Sequence, residues 1–285
     1  MKEKNNKSLP VVVGIIFALL IVVGFLGYLF EQMVVITPPL VSEPVTILTI
    51  AGSGSASFAL QTLAPAFEKK YTGVKLEFLN SADAAVGYAG VKDKSISIGA
   101  VSRKANPEEE FPGMILTPFA RDAVVFVLNK SAGAVTDLSA QELVGIYTGK
   151  IKNWSEVGGS NQPIVLIDRE EAESSKKLFR QYYLEKGIVP NSAIELHSER
   201  DVLSSVLDTP GSIGYLSYGR ASQEDVHIVS IDGKSAEKHA DGSYKLVRIY
   251  YVVTTGESQK EVSDFINFLT EDGATLLTQN HYFAP

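Results

Sequence analysis

Two stretches of this chain, more than a hundred residues apart, follow one pattern: an apolar run, a hydroxyl-rich turn, then a helical stripe. In residues 164–180 (IVLIDREEAESSKKLFR), Ile164 to Ile167 read as a short buried strand that Asp168 ends. Arg169 and Glu173-Ser174-Ser175 follow, and Leu178, Phe179 and Tyr182 open a helical stripe. Residues 45–50 read as another strand, leading into Ala51-Gly52-Ser53-Gly54-Ser55-Ala56-Ser57. A helix then carries Leu60, Leu63, Ala64, Phe67 and Tyr71 on one face, with Pro65 expected to kink it or delay its start. Such a junction can seat an anion, because the first helical N–H groups lack internal partners and the macrodipole is positive there. Arg169 adds a planar, permanently charged fork that matches two oxygens of an oxyanion. Taken singly, either stretch also reads as an ordinary helix start, with Arg169 paired to Glu170 or Glu173.

The turn at 51–57 fits neither common nucleotide loop. It lacks the third glycine of a dinucleotide fingerprint, and no Gly-Lys-Ser/Thr follows. A net charge of −7 argues against a nucleic-acid surface, which needs a basic face. There is no cysteine, so disulfides, thiolate zinc sites and a lipid-anchor cysteine are excluded. Four scattered histidines, without ligand spacing, give no expectation of a metal, and no cofactor is expected.

The amino terminus sets the compartment. Lys2, Lys4 and Lys7 in a stub at 1–10 precede an uncharged apolar run at 11–30. Twenty helical residues span roughly 30 Å, the thickness of the hydrocarbon core. The lysines place the stub in the cytoplasm. A cleaved signal peptide is the rival reading, but its apolar core is shorter and ends in a small-x-small site, which is missing after Phe30. Residues 31–44, with Pro38, Pro39 and Pro44, read as a stiff linker. The chain is therefore expected to be a single-pass membrane protein with its folded part outside the cytoplasm.

That folded part begins strand, helix, strand, helix, strand, with strands at 74–78 and 95–101: a parallel α/β lobe. Ser53, Ser55 and Ser102 fall at carboxyl ends of strands, where open parallel sheets bind ligands. A further strand is expected at 123–128. Ser139 and Glu142 form a capping box, and Trp154 is expected in the core. Residues 196–207 look helical, 226–231 and 247–253 look like strands, and 261–279 is a closing helical region. The simplest architecture is two α/β lobes facing each other across a cleft, each contributing one helix N-terminus.

With these motifs in order, the sequence resembles the phosphate-binding receptors of ABC importers. The resemblance runs from about residue 44 to 285 and is most specific in IYTGKIKNWSEVGG followed by PIVLIDREE. AGSGS, SIGAVSR, GSIGY and FINFLTEDGATLL fall in matching order. It implies an α/β, two-lobed type 2 periplasmic-binding-protein fold with a central cleft, here preceded by an N-terminal transmembrane helix. Lobe I would comprise 45–122 and 245–285, and lobe II 123–244. It implies that Ser53, Gly54 and Ser55 donate to the oxyanion, and that Ser102 stands where some members carry a proton-accepting aspartate. Arg169 would be the ligand-binding arginine, and Glu173, Ser174 and Ser175 would match the Ser-Gly-Thr donors. Ala172-Glu173-Ser174-Ser175 departs from the usual Gly-Ser-Gly-Thr, placing a carboxylate where a donor stands. Residues 80–85 replace a Ser/Gly-rich loop, leaving Ser81 as its candidate donor.

The implied function is capture of phosphate or a related tetrahedral oxyanion for an importer permease by a non-enzymatic monomer. Two alternatives stand beside it: a membrane-anchored anion sensor without transport, and a Ser-Lys hydrolase suggested by Ser174-Ser175-Lys176-Lys177.

Overall fold

A computed structural model of the chain describes residues 9–32, 45–80, 83–237 and 242–285. The chain divides into two units, Met1–Pro44 and Val45–Pro285. In the first, helix α1 (Leu9–Gln32) contains Val13–Phe30, long and apolar enough to cross a membrane. The linker expected at 31–44 lies mostly outside the described residues, as does Ser81.

The second unit opens with β1 (Thr46–Gly52), α2 (Gly54–Lys70), β2 (Val74–Phe78), α3 (Ala84–Lys92) and β3 (Ile98–Val101). Next come β4 (Met114–Leu128), β5 (Asp137–Leu138), α4 (Ala140–Tyr147), β6 (Val165–Arg169) and α5 (Ser174–Phe179). The remainder is β7 (Ile194–Leu196), α6 (Glu199–Asp208), β8 (Ser212–Ser217), α7 (Tyr218–Ala221), β9 (His227–Ile231), β10 (Val247–Thr255), α8 (Lys260–Thr270) and α9 (Asp272–Gln279).

The strands join in the order β2-β1-β3-β10-β4-β8-β6-β7, with β9 paired to β4 and to β5. The expected parallel lobe is present, since β1 pairs in parallel with both β2 and β3. Strand β4 carries the chain from one body to the other: it pairs with β10 along 114–123 and with β8 along 124–128. The apolar core divides accordingly. One cluster draws on residues 123–246, around mutually packed Phe126, Tyr147, Phe179 and Tyr215. Another draws on 48–120 and 250–282, where Phe67 packs edge-on against Phe265 and Phe268.

Several elements differ from the sequence expectations. Helix α2 starts at Gly54 and runs through Pro65 without delay. Pro65 lies on the exposed face, where the carbonyl freed one turn earlier can turn to water. Strand β4 is much longer than 123–128. Its first part holds Pro118, which breaks a strand pattern but sits at the register shift opposite Tyr250 and Tyr251, a position where proline is tolerated. The third strand begins at Ile98, not at 95, and Leu196 ends a strand, with the helix starting only at Glu199. Strand β6 continues through Asp168 and Arg169. After it, α5 lasts six residues before a wider π turn over Arg180–Leu184, whose changed phase leaves Tyr182 exposed while Phe179 is buried.

Trp154 is fully buried and donates through Nε1 to the Gly211 carbonyl at 2.9 Å. The capping box forms as read: Ser139 Oγ accepts from the Glu142 N–H, and Glu142 Oε2 accepts from the Ser139 N–H at 2.8 Å. Ser139→Ala should therefore cost about 1 kcal/mol, read as a lower denaturation midpoint at unchanged slope.

Candidate functional site

The first wall is built at the carboxyl ends of β1 and β3. Gly52 has φ +137°, and a Cβ there would lie 2.0 Å from the Ala100 carbonyl oxygen, so only glycine lets the two strand ends approach this closely. The next residue, Ser53, donates its N–H to that carbonyl at 2.7 Å and becomes the N-cap of α2. Its hydroxyl does not cap the helix; it lies 3.1 Å from the Ser55 hydroxyl, and both side chains are buried. The seventeen-residue α2 thus directs its positive end toward a cluster of buried hydroxyls. Ser102, just beyond β3, is also buried.

The second wall begins with β6. Successive strand residues face opposite ways, which separates Asp168 from Arg169. Asp168 accepts from Lys176 Nζ at 2.5 Å and from the Tyr215 hydroxyl at 2.7 Å, all three buried. This cluster ties β6 to α5 and β8. Arg169 turns to the other side and is 2 % exposed. Its Nη2 donates to the His197 carbonyl and lies 2.8 Å from Glu173 Oε2, while Nε and Nη1 have no acceptor among the described residues.

Glu173 is the N-cap residue of α5 by backbone geometry, but its side chain makes no cap. Its carboxylate turns inward onto Arg169, one of the two pairings that the sequence offered for that arginine. Burial pushes its pKa up to about 7, against the pull of Arg169; the charge of Glu199 adds to the rise, Arg248 opposes it, and Asp83 adds a smaller push. Ser175 is fully buried, and its hydroxyl has no partner among the described residues.

The two walls meet. Ser102 Oγ and Ser174 Oγ are 2.9 Å apart, joining residues of the two core bodies. Ser53, Ser102, Glu173 and Ser174 line one crevice together with Asp83 and Arg103, enclosing about 10 Å³, room for about one water molecule. A tetrahedral oxyanion is larger, so its entry requires the Ser102–Ser174 contact to open. Of the residues singled out from sequence, Ser53, Ser102, Glu173 and Ser174 line this crevice and Ser55 and Arg169 contact its lining, whereas Gly54 lines a neighbouring chamber.

Sequence reasoning missed the charge network behind the crevice. Arg248 of β10 donates from Nη1 to Ser174 Oγ and from Nη2 to Glu199 Oε1, both at 2.8 Å. It stands directly opposite Asp122 in the β10–β4 register. Asp122 is wholly buried; it accepts from the Tyr250 hydroxyl and the Gly219 N–H, and burial raises its pKa to about 6. Burial also works against charge on Glu199, but Arg248, Arg169 and Arg220 together outweigh it and hold its pKa below the ordinary value. Three arginines (169, 220, 248) thus face three acids (122, 173, 199). The available signal was charge inside apolar runs: Arg248 in VRIYYVV, and Arg121 with Asp122 in RDAVVFV.

Two cores joined by shared strands, with a crevice of hydroxyls and arginine between them, define a bilobal receptor for a small solute. The chain belongs to the PBP superfamily, whose domain matches residues 38–272, and within it to the family of the phosphate-binding protein PstS. It is 30% identical over 229 residues to the phosphate-binding protein PstS of Bacillus subtilis, covering 79% of this chain and 75% of that one. To the PstS of Borreliella burgdorferi it is 28% identical over 239 residues, covering 79% and 84%. Among solved structures, a phosphate ABC transporter substrate-binding protein from Clostridium perfringens, with bound phosphate, superposes with a TM-score of 0.75 at 27% identity, covering 84% of this chain and all of that one.

Proposed function

We propose that this chain captures phosphate, or a related tetrahedral oxyanion, between two lobes (45–122 with 245–285, and 123–244) and presents it to an ABC importer permease. The observation that carries the reading is the contact of Ser102 with Ser174 across the two cores, beside an arginine with two nitrogens that no acceptor among the described residues uses. Micromolar binding requires about 8 kcal/mol. A hydrogen bond to a charged group supplies roughly 1.5–3 kcal/mol, so several donors from both walls must converge on the ligand. Ser53, Gly54 and Ser55 at the start of α2, Ser102, and Arg169, Ser174 and Ser175 form that set, with Ser81 as a further donor from the neighbouring loop. Because α5 is so short, the second wall relies on the guanidinium and hydroxyls more than on a helix dipole. Closure follows from the ligand, since only the closed form satisfies both sets.

Helix α1 would hold this receptor on the extracytoplasmic face as a monomer. Binding is favoured over Ser-Lys hydrolysis by the surroundings of the motif: Ser174 Oγ meets Ser102 and Arg248, and Lys177, the lysine of the motif, is exposed. An anchored anion sensor shares every one of these features, and α1 is what favours it; copurification with a permease separates the two.

A thermal-shift panel on the full chain in detergent, with phosphate, sulfate, molybdate, tungstate and phosphonates, tests the reading. A true ligand at a hundred times its Kd should add about 2.7 kcal/mol of stability. No shift with any of these anions would overturn it.

A further inference from the structure

Next to the oxyanion crevice lies a second, larger chamber of about 460 Å³. Its walls come from both bodies: Ser57 and Phe58 on the first turns of α2, Asn80 after β2, Glu199 at the start of α6, and Arg220 of α7. Three lining residues carry buried polar atoms without a hydrogen-bond partner among the described residues: Ser57 Oγ, Glu199 Oε2 and Arg220 Nε. Ser57 and Glu199 are themselves more than nine-tenths buried. Arg220 is held flat over the Phe58 ring at 3.6 Å and stays 3.9 Å from Glu199 Oε2, too far for a hydrogen bond. Leaving such groups unpaired costs free energy, so three around one chamber point to something that pairs them.

The chamber adjoins the crevice on both walls. On α2, Ser57 lies one turn beyond Ser53, with its N–H donating to the Ser53 carbonyl, a displacement of roughly 5.4 Å. On the opposite side, one guanidinium links the compartments: Arg248 touches Ser174 of the crevice with Nη1 and Glu199 of the chamber with Nη2. The residues that line the chamber come from the same two bodies that line the crevice.

We infer that the chamber receives the substituent of a phosphate monoester or phosphonate bearing a hydroxyl group two or three carbons from the phosphoryl oxygen or phosphorus. This rests on the oxyanion-binding role proposed for the crevice. A hydroxyl answers all three unpaired atoms, because it donates to Glu199 Oε2 and accepts from Arg220 Nε, while Ser57 can do either. A bare alkyl group answers none of them.

Isothermal titration of the full chain in detergent with inorganic phosphate, methyl phosphate and glycerol 3-phosphate tests this. Glycerol 3-phosphate should bind about tenfold or more tighter than methyl phosphate, the worth of one or two added hydrogen bonds. Ser57→Ala should remove most of that preference while leaving inorganic phosphate within about threefold, since Ser57 lines the chamber and not the crevice. Binding of inorganic phosphate with no preference for glycerol 3-phosphate, or a preference that survives Ser57→Ala, would overturn the inference and leave the oxyanion role intact. Failure of all three compounds to bind would overturn both.

Discussion

Arg169→Met should weaken phosphate binding by a factor of a hundred or more. The guanidinium is 2 % exposed, and two of its donor nitrogens have no acceptor among the described residues. Truncating one side of a buried, hydrogen-bonded charge pair costs about 2–5 kcal/mol, because the remaining charge is left without a partner in a poorly solvated site. Here the substitution removes donors from the ligand and also strands the Glu173 carboxylate, which then repels an anion. Arg169→Lys keeps the charge without the planar fork and should recover only part of the affinity. Isothermal titration with phosphate near pH 8, where Glu173 is mostly charged, reads both variants. Phosphate affinity within threefold of the parent in Arg169→Met would reduce Arg169 to a structural partner of Glu173.

Glu173→Gln should remove a pH dependence from both stability and selectivity. In the unfolded chain this glutamate titrates near 4.5, and in the folded chain at about 7, raised by burial. Between those values the folded state keeps a proton that the unfolded state has released. The stability this group contributes is therefore fully present below 4.5 and is lost as pH rises through about 7, a loss of about 3 kcal/mol. Asp122, raised by burial to about 6, slopes the same way at lower pH, so the interval from pH 6 to 8 mainly reports Glu173. Denaturation midpoints of the parent should fall across that interval, and those of Glu173→Gln should stay level. Equal slopes would show that the carboxylate is already charged at pH 6.

Selectivity follows from the same proton. Sulfate has none to offer a charged Glu173, whereas hydrogen phosphate can donate one. In the parent, sulfate should bind appreciably only below pH 7, and phosphate should be preferred most strongly above it. Glu173→Gln should make sulfate binding independent of pH over the same range. An unchanged preference for phosphate over sulfate in that variant would remove Glu173 from ligand discrimination.

Local patterns in the sequence carried much of this structure. Apolar runs located β1, β2, β9 and β10, and Ser139 with Glu142 located the start of α4. Hydroxyl residues beyond β1, β3 and β6 located most of the crevice, since strand ends of a parallel sheet converge on one edge. Where reading failed, a longer-range contact had overruled a local signal. Pro118 is tolerated because β10 shifts register beside it, and Tyr182 is exposed because the chain leaves the α-helical path at Arg180.

By itself, then, the order of residues determined an apolar amino-terminal helix, two strand-turn-helix junctions carrying serines and an arginine, and the α/β character of the folded part. Only the tertiary structure decided which charges face one another. Strand β10 inserts between β3 and β4, bringing Arg248 opposite Asp122 and against Glu199 and Ser174. The physical reason is the same in each case: a buried charge is tolerated only beside its partner, and partners distant in sequence become neighbours only when the sheet assembles.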